Sequence, residues 1–284
     1  CSAGLNLVAD QRHYQLCGCT PDSPDMHIGM GAGEEFVIPC SGDFMAPQRT
    51  AVPLIRSRLG CDRQPFFLKT EADEQRIASY VWGDQVERLL MLRQGIDALR
   101  RVESSAAPVR LFAADLPEGL AGLLDARIPQ TNSPPVVVYN TYLTSYLPCK
   151  GKGLEENLDQ WAKRQSVPVL WLQWEPLRQH LQPPSLGWLG WTADLWMQGE
   201  RRRWHLAWVH PHGTGITWLP DLAEWYGFWR KDGNPGFPCH LDQRERSWHC
   251  CSTASAVARF FSIFWMWCAS VLGECPGRMG SPWC

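Results

Sequence analysis

The sequence predicts an α/β fold: a mostly parallel sheet between two helical layers, closed at its carboxyl-terminal side by an antiparallel hairpin. Three observations carry this. Strand-like apolar runs alternate with amphipathic helical segments between about residues 50 and 175, the order that produces parallel crossovers. The runs Val136-Val-Val-Tyr139 and Pro168-Val-Leu-Trp-Leu-Gln173 are almost continuously apolar, as in strands buried on both faces. Trp191–Trp196 and Trp204–His210 then alternate apolar and polar residues around Gln198-Gly-Glu-Arg201, the pattern of a hairpin.

The elements follow in order. Gly4 to His13 reads as a short helix, and residues 17–49, rich in Gly, Pro, Asp and Ser, as a loop or hairpin insertion. Ala51-Val-Pro-Leu-Ile-Arg56 reads as a short strand ahead of Leu59-Gly-Cys-Asp62. Glu71 to Arg101 keeps Ile77, Val81, Val86, Leu89, Leu90, Ile96 and Leu99 on one helical stripe. Val109-Arg-Leu-Phe-Ala113 is a strand with Asp115 just beyond it, and Pro117 opens a helix. Gly153 to Arg164 is the next helix, and Ile216-Thr-Trp218 adds a short strand. From about Asp232 periodicity vanishes and Cys, Trp and Pro become frequent. This divides the chain into a domain over residues 1–230 and an atypical tail over 231–284, read as disordered or frameshifted. The apolar stretch Phe260–Gly273 in that tail has about fourteen residues, short of the roughly 20 that span a bilayer.

Composition narrows the function. The 284 residues are 45% hydrophobic with a net charge of -2, which gives no electrostatic argument for nucleic acid or an anionic membrane. The one basic run, Arg201-Arg-Arg203, reads as a solvated turn. Sixteen Trp, concentrated between Trp161 and Trp229, read as core and rim packing. Cys17-Gly-Cys19 has no second Cys or His pair at structural-zinc spacing nearby, so no metal is expected. The expected setting is the cytoplasm and the expected partner a small molecule.

Six segments in order resemble one family of uncharacterised prokaryotic proteins, a domain of unknown function with a class I methyltransferase-like fold. They are Ser2-Ala-Gly-Leu-Asn-Leu7, Arg58-Leu-Gly-Cys-Asp62, Val81-Trp-Gly-Asp-Gln85, Val136 through Leu147, Trp174-Glu-Pro176, and Ala207-Trp-Val-His-Pro-His-Gly213. The resemblance covers roughly residues 2–220. It implies a Rossmann-like three-layer sandwich with S-adenosylmethionine (SAM) as ligand. In that fold a glycine loop follows the first strand, and Cys1-Ser-Ala-Gly-Leu-Asn-Leu7 reads as the second half of such a loop. The first strand is therefore expected to be missing and the chain amino-terminally truncated. That strand would lie between those leading to Asp62 and Asn140, so a gap or a substitute pairing is expected there, with poor SAM binding by this polypeptide alone.

The resemblance also implies site residues. Ser2, Ala3, Gly4 and Asn6 would meet the carboxylate or ribose of the ligand; alternatively Ser2 is a plain helix cap. Asp62 would accept from the ribose diol, although more than fifty residues separate it from Gly4 where about 20 is usual, which leaves Asp22 or Asp25 as alternatives. Asp115 would accept from the adenine amino group. Each Asp can equally cap a turn. Asn140 would orient an acceptor and Tyr142 would face the sulfonium. His210, His212 and Glu175 are acid/base candidates.

Three functions remain open on these residues. The first is a SAM-binding methyltransferase-like enzyme of unknown acceptor. The second is a non-catalytic ligand-binding or regulatory domain on the same fold. The third is a hydrolase-type enzyme using His210, His212 and Glu175, although no Gly-x-Ser-x-Gly turn is present.

Overall fold

The computed structural model describes residues 4–17, 26–28, 36–42, 55–129, 134–176, 182–211 and 215–230. The tail over 231–284, together with Ser2, Ala3, Asp22, Asp25 and His212, lies outside the described residues.

The chain opens on a 3-10 turn, Leu5–Gln11, kinked at Val8, where the sequence suggests a helix. Three strands follow: β1 (Tyr14–Cys17), β2 (Met26–Ile28) and β3 (Phe36–Ser41). The segment expected to be a loop or hairpin insertion thus contributes strands to the sheet. β1 pairs with β2 antiparallel and with β3 parallel. The strand leading to Asp62 is β4, Arg58–Asp62, several residues later than the apolar run Ala51–Arg56 suggests.

The long helix expected from Glu71 is two helices, α1 (Glu71–Ala78) and α2 (Val86–Glu103). Thr70 caps α1 in a reciprocal capping box with Asp73. The stripe continues through Val81 to Val86, which hides the break; Gly83-Asp84 lies inside it.

β5 (Val109–Ala113), α3 (Leu120–Arg127), β6 (Val136–Thr141), α4 (Lys152–Lys163) and β7 (Val169–Glu175) follow in the expected alternation. The hairpin is β8 (Leu189–Met197) and β9 (Glu200–Val209), paired antiparallel with a register shift at Trp191/Thr192. β10 (Ile216–Trp218) and α5 (Asp221–Arg230) close the described chain.

These strands form an eight-stranded sheet in the order β2-β1-β3-β10-β9-β8-β7-β6 and a separate parallel pair, β4-β5. The large sheet is mixed. β6–β7, β1–β3 and β3–β10 are parallel, and β7–β8, β8–β9 and β9–β10 are antiparallel.

Helices cover both faces. Leu170, Leu172 and Trp174 of β7 join a core with α2 and α5, while Val169 and Trp171 join one with α3 and α4. Trp161, Trp171, Trp174, Trp191, Trp196, Trp204, Trp225 and Trp229 are all buried, so tryptophan packing dominates this core. Burial on both faces also explains why β8, whose sequence alternates, is buried over eight consecutive residues.

Arg201-Arg-Arg203 lies on β9 and not in a turn. Arg201 and Arg203 straddle the buried Asp194, each donating through Nε at 2.8 Å, and both reach Glu155 of α4. Arg202 points to the other face, over the Phe228 ring.

Candidate functional site

A cavity of about 880 Å³ opens between the two sheets, walled by β4 on one side and β6 on the other. Its lining draws Gly4, Asn6, Asp62, Asp115 and Asn140 together from four separate segments.

Gly4 sits at φ +79°, and a Cβ there would lie 2.6 Å from Val109 Cγ1. Only glycine fits both the conformation and the space. Its carbonyl accepts the Leu7 N–H at 2.9 Å, which starts the 3-10 turn.

Asp62 is the last residue of β4. Its Oδ1 accepts the Gln64 N–H at 2.8 Å, a turn-capping bond. Its Oδ2 has no protein partner among the described residues. Asp115 follows β5 and is exposed, with Arg63 Nε at 3.9 Å. Its carbonyl accepts from Gly119.

Asn140 is buried near the end of β6, and both ends of its amide are used. Nδ2 donates to Glu175 Oε1 at 2.6 Å, and Oδ1 accepts from Trp171 Nε1 at 2.7 Å. Glu175, at the end of β7, accepts three further bonds: from Leu143 N–H at 2.7 Å, Thr144 N–H at 3.1 Å and the Thr144 hydroxyl at 2.7 Å. Burial pushes the Glu175 carboxyl up, and the four donated bonds pull it back only in part.

Tyr142 adopts φ 49° and donates its N–H to the Trp174 carbonyl at 2.8 Å. Its ring stands edge-on to Tyr146; Tyr146 lines the cavity, and Tyr142 is not among the lining residues. His210 follows β9, packs edge-on to Trp188 and is pushed below its usual value by partial burial. β8 lies between its strand and that of Glu175. Among the described residues, no group of three His, Cys, Asp or Glu could hold a metal ion. No helix there is long and apolar enough to cross a membrane.

Two features of the site were not assigned from sequence. Arg58, 7% exposed, makes a two-pronged ion pair with Asp10, both bonds 2.7 Å, and also donates to the Leu7 carbonyl. Gly60 lets β4 approach the amino-terminal turn, since a Cβ would meet Leu111 Cδ2 at 2.7 Å and Leu7 Cδ1 at 3.1 Å. The pairing of Arg with an Asp 48 residues earlier leaves no local signal.

Fold and cavity define an α/β protein with a pocket between the edge strands of two sheets. The chain belongs to the family described as uncharacterized protein conserved in bacteria (DUF2332), whose model matches residues 1–218. Neither a curated protein nor a solved structure gives a match.

Proposed function

We propose that this chain is the ligand-binding domain of a cytoplasmic, SAM-binding methyltransferase-like protein with a Rossmann-like three-layer arrangement. One observation supports this most: Gly4, Asn6, Asp62 and Asp115 line a single cavity, with Asp62 and Asp115 at the carboxyl ends of the parallel strands β4 and β5. In open α/β sheets, ligands bind outside the carboxyl ends of such strands. The volume falls in the range of small-molecule sites, about 300–1,000 Å³. On this reading Asp62 Oδ2 accepts from a ribose hydroxyl, and Asp115 from an adenine amino group. Bound SAM supplies a methyl group on a sulfonium. The protein's part is orientation of an acceptor, worth several orders of magnitude when well aligned.

A non-catalytic binding role is the second reading, and one observation favours it. Asn140 and Glu175 spend their polar atoms on each other, on Trp171 and on the 143–144 backbone. Neither is left to activate an acceptor. Methyl transfer to any acceptor from a bacterial extract by the wild-type protein, absent in Asp62→Ala, decides for the enzyme.

Binding itself is tested by saturation-transfer NMR with SAM. The walls of the cavity belong to two unpaired sheets, so the expected affinity is weak, with a dissociation constant of about 1 mM. Asp62→Ala should lower the saturation signal by about tenfold, the loss of one charge-assisted hydrogen bond. No saturable signal from wild type up to several times that concentration would sink the proposal.

A further inference from the structure

The turn over residues 80–85 and the first turns of α2 carry an apolar face that the core does not use. Trp82 is 65% exposed, Val86 60%, Tyr80 51% and Leu90 41%. Their neighbours point the other way: Val81 and Leu89 pack against the core, and Leu92 and Ile96 are buried in it. Backbone bonds close the turn. Tyr80 N–H donates to Ile77 at 3.1 Å, Val81 N–H to Ala78 at 3.0 Å and Gln85 N–H to Trp82 at 2.9 Å. Large apolar side chains held outward on a closed turn and the next helix face mark an interaction surface. Val81-Trp-Gly-Asp-Gln85 is one of the six segments singled out in the sequence. No residue over 80–90 lines the cavity, so the ligand reading makes no use of it.

The charges beside this face are unspent. Glu87 and Arg93 are exposed and have no ion-pair or hydrogen-bond partner among the described residues. Further along α2, Arg100 is taken by Asp97 at 3.7 Å and by Glu74 of α1. Glu87 lies three residues before Leu90 and Arg93 three after it. Helix geometry sets them about 60° to either side of Leu90 and about 9 Å apart along the axis. They cannot meet within one helix, where only residues three or four apart face each other.

That spacing suits a second copy of the same helix. Take two α2 helices parallel, with a two-fold axis along the seam. Val86 then meets Val86 of the second copy, and Leu90 meets Leu90. Each Glu87 shares a flank with Arg93 of the other copy, twice by symmetry. Side chains of this length bridge such an offset between paired helices, as flanking charges do in coiled coils. The antiparallel arrangement puts both Glu87 on one flank and both Arg93 on the other, so like charges face each other.

We propose that the face over Trp82, Val86 and Leu90 is a homodimer contact in which two copies pair α2 in parallel and exchange Glu87–Arg93 ion pairs. Tyr80 and Trp82 alone expose roughly 200 Å² per copy, and Val86 and Leu90 widen the patch. This stays below the about 800 Å² per partner of a standard interface, so the dimer is weak and reversible. Burial of the apolar side chains supplies the attraction, and the charge pairs set the direction of the helices. The contact and the cavity share no residue, so dimerisation leaves the ligand site open.

Sedimentation equilibrium of the 284-residue chain from about 10 μM to about 1 mM should show a mass rising toward twice the monomer. Leu90→Lys should abolish the rise. Glu87→Arg and Arg93→Glu should each weaken association about tenfold, as two attractive pairs become repulsive. Glu87→Arg together with Arg93→Glu restores opposite charges only between copies. It should return association to within about threefold of wild type. A constant monomer mass in wild type overturns the proposal. So does association that Leu90→Lys leaves intact, which places the contact elsewhere. A double variant as weak as the single ones overturns the parallel pairing, because antiparallel helices gain nothing from the exchange. The readout is free of SAM, so this inference and the ligand reading fail separately.

Discussion

Glu175 accepts a hydrogen bond from the Asn140 amide at 2.6 Å, joining the ends of β7 and β6. The same carboxylate takes the backbone of Leu143 and Thr144, which fixes the left-handed turn at Tyr142 and the descent into α4. It is a buried polar hub in which every partner donates. Replacing Glu175 by Ala leaves four donors without acceptors. The expected loss is about 3 kcal/mol, seen as a lower urea midpoint. Glu175→Gln, which keeps one acceptor oxygen but turns an amide toward donors, should fall between. A wild-type midpoint in Glu175→Ala would show that water replaces the carboxylate without cost.

The same residue makes stability depend on pH. Its carboxyl is raised in the folded state, chiefly by burial. The folded protein then holds its proton over a window where the unfolded chain has lost it. Stability from this group is fully present below the unfolded value of about 4.3 and is lost as pH rises through the folded value. Glu155 works with the opposite sign. Burial opposes its ionisation, but Arg201 and Arg203 outweigh that and hold it below its usual value. Its stabilisation is present above about 4.3 and disappears as pH falls through the folded value. Urea midpoints from pH 3 to 7 should show Glu175→Ala flattening the decline above about 4.3, and Glu155→Gln flattening the fall below it. Identical pH profiles in wild type and Glu175→Ala would remove the burial argument.

Much of this frame is legible in the sequence because its signals are local. Val136–Tyr139 and Val169–Gln173 declare themselves by unbroken apolar runs, and Gln198-Gly199 declares the hairpin. The ends of those strands, with Asp62, Asp115 and Asn140, then gather at one cavity. What stays hidden depends on distant partners. β3 earns its place by pairing with β10, about 175 residues later, and its Pro39 reads as a strand breaker. Arg201-Arg-Arg203 reads as solvated because Asp194 and Glu155 lie across a hairpin and on another helix. The polar saturation of Asn140 follows from the position of Trp171 on β7, which composition cannot show.

Asp194 is fully buried between two arginines. It accepts from Arg201, Arg203 and Gln173. Asp194→Ala leaves two guanidinium groups facing a vacated, buried site, and the expected cost is about 4 kcal/mol. Glu155→Gln, on the half-exposed side of the same cluster, should cost about 1 kcal/mol or less because solvent screens it. Chemical denaturation of both variants separates the two. Equal losses would mean that the buried and exposed carboxylates carry the arginines alike.

Gly151 stands at φ +79° just before α4, and a Cβ there would lie 2.8 Å from Thr144 Cγ2. Gly151→Ala therefore meets two costs, a left-handed backbone of about 1–2 kcal/mol and a clash with a residue that Glu175 holds in place. The double variant Gly151→Ala with Thr144→Ser removes that methyl and keeps the hydroxyl. It should recover part of the loss. No recovery in thermal melting would assign the loss to the backbone and to the Thr144 Cβ, which a Cβ at 151 would still meet at 2.9 Å.

Asp10 and Arg58 tie the amino-terminal turn to β4, the strand that forms one wall of the cavity. Both are about 7% exposed and meet through two 2.7 Å bonds, and the same guanidinium reaches the Leu7 carbonyl. A two-pronged pair of this kind fixes orientation as well as distance. Removing one partner strands a buried charge, so Asp10→Ala and Arg58→Ala should each cost about 3–5 kcal/mol. The double variant Asp10→Leu with Arg58→Met replaces the pair by apolar side chains of similar reach. It should recover most of the stability, since desolvating the pair offsets much of its attraction. What the apolar pair cannot restore is the anchorage of Leu7 and hence the placement of Gly4 and Asn6. Amide exchange in residues 4–11 should therefore stay faster than wild type in the double variant even where its urea midpoint is regained. Wild-type exchange there would show that packing alone positions the amino-terminal turn.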